Sequence, residues 1–92
     1  MFYFVYIIYS FENDIYYKGF STRPLERLKE HNENLGRFTG NKGPWVLVFL
    51  QSFQEKKQAL IRERKLKKYS KVQIQSLIQT PLNEIDKFKT NE

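Results

Sequence analysis

The chain has no cysteine, so no disulfide can staple it and no thiolate can hold a metal. It has one histidine, His31, which falls far short of the ligand set a zinc site takes. The longest apolar run is Phe2–Tyr9. A bilayer span needs roughly 20 such residues, so no membrane partner is expected. The run has no basic segment before it and no small-residue cleavage site after it, and does not read as a secretory signal. A cytoplasmic protein is the expectation. Glycines are few, and three of the four, Gly36, Gly40 and Gly43, fall in one short stretch.

What the chain does have is apolar and basic character. Forty per cent of its residues are apolar and 16% aromatic, too much for disorder and enough for one modest core. A length of 92 residues corresponds to one domain, placed at residues 1–88, with 89–92 as a disordered tail. The net charge is +6, and eight of the 16 Lys and Arg lie between Lys56 and Lys71. Such a surplus suits a polyanionic partner, although a charge run of this kind can also be a solvated helix face.

Along the chain, residues 2–9 are aromatic and β-branched and read as a strand buried on both faces. Asn13-Asp14 signals a turn, and residues 15–20 make the second strand of an antiparallel hairpin. Ser21, Thr22 and Pro24 open a first helix over 24–34, with Leu25 and Leu28 on its buried side. Residues 35–43 form a basic, glycine-rich loop, and 44–51 a third strand. Ser52-x-x-Glu55 matches a capping box for a second helix over 53–69, and Ser70-x-x-Gln73 one for a third over 71–79. Thr80-Pro81 can cap a last short helix with Leu82, Ile85 and Phe88 as its apolar positions. The fold class is α/β (α+β): a three-stranded antiparallel sheet flanked by helices, in the order β-β-α-β-α-α.

Three features carry possible chemistry. On the second helix, Glu63 falls inside the apolar arc of Ala59, Leu60, Leu66 and Tyr69. A carboxylate there must be paired, reach water at the arc's edge, or bind a metal; a hard oxygen ligand suits Mg²⁺. On the first helix, Arg27 and His31 share a face, which reads most simply as a solvated pair. Arg suits a phosphate, and His can donate to one or move a proton. In the hairpin, Tyr6 and Tyr17 read first as core residues, and Gly19 inside a strand signals a bulge or a close approach.

Taken in order, Phe4-Val5-Tyr6, Tyr17-Lys18-Gly19-Phe20-Ser21, Arg27, His31 and Glu63 resemble the GIY-YIG nuclease pattern over about residues 3–78. In that family the first motif ends in Tyr and the second reads Tyr-x-Gly-x-(Ser/Thr). An Arg and often a His follow on the first helix, and a Glu on a later one. The segment Ala59–Lys67 is similar to the Glu-bearing helix of small stand-alone members, which resemble the N-terminal nuclease domain of an excinuclease. The chain departs from the motif at Phe4, Val5 and Lys18, and Asn83 is the candidate for the late Asn that many members use.

The resemblance implies a metal-dependent DNA endonuclease, possible substrates being repair or branched DNA. Glu63 would hold Mg²⁺ or Mn²⁺ and Arg27 a phosphate oxygen. Tyr6, alone or hydrogen-bonded to Tyr17, would orient or deprotonate the water if nearby cations lowered its pKa. His31 would be a phosphate donor or relay. Gly19 would leave room for the substrate backbone. Arg37, Lys42, Lys56, Lys57, Arg64, Lys67, Lys68 and Lys71 would grip DNA phosphates. The alternative is a catalytically silent nucleic-acid-binding module of the same fold.

Overall fold

The computed structural model describes residues 1–89. Its elements run β1 (Tyr3–Ser10), β2 (Ile15–Ser21), α1 (Pro24–Asn32), β3 (Trp45–Phe53), α2 (Lys56–Leu66), α3 (Lys71–Ile78) and α4 (Ile85–Lys89). This is the order expected from the sequence. Of the tail placed at 89–92, Lys89 instead closes α4, and 90–92 lie outside the described residues.

The sheet is antiparallel in the order β2-β1-β3, so β1 is central and β2 is an edge. A central strand covered on both faces favours an unbroken apolar run, and Val5–Ile8 are all buried. Asp14, at φ 52°, takes the left-handed conformation that the hairpin turn requires.

Alternation along β1 divides the core. Val5 and Ile7 face α2 and α3, packing with Phe49, Ala59, Leu66 and Ile74. Tyr6 and Ile8 face the other way, among Trp45, Leu50, Leu28 of α1, and Ile85 and Phe88 of α4. Each fully buried apolar side chain contributes roughly 1.5–3 kcal/mol, so both layers are needed to hold the sheet.

Three local expectations fail. β3 runs on to Phe53, and α2 starts at Lys56 with no side-chain cap from Glu55. The Ser52 hydroxyl instead donates to Glu84 Oε1 (2.7 Å), while its N–H donates to Glu84 Oε2 (3.0 Å). Thr80 does not cap the last helix: its hydroxyl donates to the Leu77 carbonyl (2.7 Å), and Asn83 Oδ1 accepts from the Ile85 N–H (3.1 Å). In α1, Leu25 is 57% exposed, whereas His31 is buried. The Ser70–Gln73 capping box forms in full at the start of α3.

Candidate active site

The site is built where α1 crosses the hairpin. Tyr6 pairs with Gly19 across the β1–β2 ladder, and no bulge interrupts that pairing. A Cβ on residue 19 would lie 2.3 Å from the Cζ and Oη atoms of Tyr6. The room at Gly19 is therefore taken by the Tyr6 phenol, and not by a substrate backbone. Glycine lets the ring lie over β2 and carry its hydroxyl to α1.

There the phenol hydroxyl is hydrogen-bonded to His31 Nε2 (2.8 Å), and the Arg27 charge acts on the same phenol. On its other side His31 Nδ1 is hydrogen-bonded to Thr39 Oγ1 (2.7 Å), so in the neutral ring one nitrogen donates and the other accepts. Burial, reinforced by the Arg27 charge, lowers the His31 pKa to about 4, in keeping with a neutral ring. His31 is 1% exposed, which corrects the solvated Arg–His pair and excludes direct donation to a bound phosphate in this arrangement.

The protein's own groups do not supply the lowered pKa that Tyr6 would need as a base. Its pKa is raised, first by burial and then by Tyr17; Arg27 opposes the shift without reversing it. A buried phenol held protonated is a poor base. Its hydrogen bond goes to His31 and not to Tyr17, whose ring centroid is 6.4 Å from that of Tyr6. Tyr17 is half-buried, packs on His31 at 5.0 Å and on Phe38 at 5.8 Å, and lines a surface depression with Lys18 and Lys67.

α2 packs on the opposite sheet face, through Ala59 and Leu66. Glu63 nevertheless belongs to the same electrostatic cluster: its charge is among the causes that raise the Tyr6 pKa. The Glu63 side chain is only 18% exposed, and Lys67, one turn on, lines the depression with Tyr17. Lys67 Nζ lies 3.8 Å from Glu63 Oε2, a long ion pair exposed at its lysine end.

Among the described residues, no group of three or more His, Asp or Glu gathers. The donor set is one hard carboxylate oxygen beside a basic surface. That fits Mg²⁺ or Mn²⁺ filling its shell with water and phosphate, and does not fit zinc.

Of the expected phosphate contacts, Lys67 and Lys42 lie nearest the site, Lys42 Nζ sitting 4.0 Å from the Phe38 ring centroid. Arg37 is exposed on the loop, and Lys56, Lys57, Arg64 and Lys68 are exposed on α2 or just past its end. Lys71 is paired with Asp14 at 2.8 Å. Asn83 is not at the site: it accepts from Leu50 and Ile85 N–H and donates to the Val48 and Ile78 carbonyls. Sequence reasoning missed Thr39, Phe38 and Glu30, which holds Arg27 at 2.7 Å. An aromatic residue within a basic glycine-rich loop could have signalled Phe38; nothing in the sequence pattern marks Thr39.

The fold is a small α+β domain whose hairpin and first helix gather two tyrosines, an arginine and a histidine. The family model of the GIY-YIG catalytic domain matches residues 2–75, and the chain belongs to that family. It is 42% identical over 66 residues to a UPF0213 protein of Aeromonas salmonicida, a match covering 71% of this chain and 48% of that one. The chain thus spans about half the length of that relative, and 57% of a second from Aeromonas hydrophila, which is 37% identical over 79 residues and 85% of this chain. A UPF0213 protein of Bacillus halodurans, solved by NMR, superposes with a TM-score of 0.57 at 28% identity, covering 89% of this chain and 87% of that one.

Proposed function

We propose that this chain is a Mg²⁺- or Mn²⁺-dependent endonuclease that hydrolyses DNA phosphodiester bonds, with repair or branched DNA as candidate substrates. The observation that carries this reading is the convergence of Tyr6, Arg27 and His31, with the Glu63 charge reaching the same phenol. Glu63 would hold the metal ion, which would supply positive charge to offset the charge that develops during phosphodiester hydrolysis.

Arg27 is aligned by Glu30, its charge acts on the Tyr6 phenol, and it offers its remaining N–H groups to a non-bridging oxygen. Tyr17, the phenol at the surface depression, orients the attacking water through its hydroxyl. Tyr6 and His31 act behind these groups as positioning residues, held in register by Thr39. Hydrolysis forms a bond between the water oxygen and phosphorus and breaks the P–O3′ bond, leaving a 5′ phosphate and a 3′ hydroxyl, the water proton passing to solvent and the 3′ oxygen taking one up.

Plasmid and branched-DNA substrates incubated with purified protein, with and without Mg²⁺, test the reading. Metal-dependent nicking that is lost in Glu63→Gln supports it. DNA binding without cleavage under every metal would favour the silent module, a reading to which the Lys67 charge beside Glu63 already lends weight.

A further inference from the structure

Beyond the catalytic cluster, the edge strand β2 carries a feature that hydrolysis at one phosphate does not use. Two depressions adjoin there and share Tyr16, Lys18 and Phe38 in their walls, making a two-part groove. One is further lined by Tyr17 and Lys67 of the catalytic side, and the other by Tyr69 and Lys71. Aromatic rings and lysines thus line both.

Phe38 stands at the centre and is 51% exposed, on a loop with no need of an apolar anchor there. Its ring is pre-aligned by Tyr17, with planes 24° apart, and carries the Lys42 ammonium over it. A cation–π contact at an exposed site is weaker than the stacking of a nucleobase on an aromatic ring. A base can therefore replace the ammonium, which is then free for a flanking phosphate. Paired bases in a duplex keep their faces covered and cannot enter such a groove; unpaired ones can. The lysines match the charge of the strand's phosphates.

We propose that this groove binds an unpaired DNA strand leading away from the cleavage site, with Phe38 as the central stacking platform. The substrate class is then DNA with a single-stranded segment next to the cut. This rests on the nuclease reading for its direction, but the groove can be tested without cleavage.

The test is fluorescence anisotropy with the full chain in EDTA, using a labelled single-stranded oligonucleotide of about ten nucleotides and a duplex of the same sequence. The native protein is expected to favour the single strand. Phe38→Ala should weaken single-strand binding by roughly tenfold and leave duplex binding within about twofold. Phe38→Trp should restore the affinity, and its indole emission should be quenched on binding. Equal losses on both DNA forms, or no loss on the single strand, would overturn the proposal. Binding with these properties by a protein that cleaves no DNA in Mg²⁺ would refute the nuclease reading and sustain the groove.

Discussion

Tyr6 and Gly19 face each other across the ladder, and that pairing makes the site a matter of single atoms. Gly19→Ala places a methyl group 2.3 Å from the phenol, which must swing away from His31 and Arg27. Overpacking of this kind costs about 1–3 kcal/mol, so the melting temperature should fall by several degrees and cleavage should drop with it. A variant as stable and as active as the native protein would show that the ring has another place to go.

Arg27→Ala and Glu63→Gln remove charge from the reacting phosphate and should each lower metal-dependent nicking about 10²–10³-fold, with the circular-dichroism spectrum unchanged. Native-like nicking by either in clean preparations would remove that residue from the mechanism. His31 gives a pH signature. Its ordinary pKa of 6.5 is lowered to about 4 by burial. As pH falls below 6.5 the unfolded chain takes up a proton that the folded chain refuses. Stability is therefore fully present above that value and declines toward pH 4, by at most about 3 kcal/mol from this group. Urea titrations across that window should show a slope that flattens in His31→Gln; an unchanged slope would mean that other groups carry it.

At the scale of elements, α4 is fixed to the sheet by polar side chains as well as by its apolar residues Ile85 and Phe88. Asn83 uses its amide on four backbone groups, joining the end of α3, strand β3 and the start of α4. Asn83→Ala strands those partners, and the loss of stability should be about 2–4 kcal/mol, seen as a lower urea midpoint. Nicking by the remaining folded fraction at low temperature should persist; its selective loss would return Asn83 to the site.

The same elements show why part of the fold was legible and part was not. β1 was readable because a doubly covered strand needs an unbroken apolar run. The α3 cap was readable because its partners lie three residues apart. The similar pattern at Ser52 misled because its hydroxyl is taken by Glu84, 32 residues away. His31 sits on the polar side of a nine-residue helix, and its burial comes from distant partners, the Tyr6 phenol, the Tyr17 ring and Thr39. The site residues were legible as a spaced motif, but their division into buried positioning groups and exposed contacts is tertiary information.

For the whole molecule, the decisive quantity is charge on a small body. Six net positive charges act at its surface, and its Cα radius of gyration is 12.5 Å. On α2 the basic residues are not spread evenly around the site. Lys67 shares the flank of Glu63, and Arg64 and Lys68 are exposed beside it. A duplex laid along this flank of α2 would bring several phosphates to it, whereas the groups around Tyr6 and Arg27 would meet only one of them. Affinity should therefore come mainly from release of counterions, with the binding constant falling steeply as salt rises. Arg64→Gln and Lys68→Gln should each reduce the magnitude of the slope of log K against log salt by about one, weakening all sequences alike. Binding isotherms at several salt concentrations in EDTA measure this directly. If both variants keep the native slope, this face of α2 does not meet the DNA, and the duplex must approach from the 35–43 loop with Arg37 and Lys42 as its contacts.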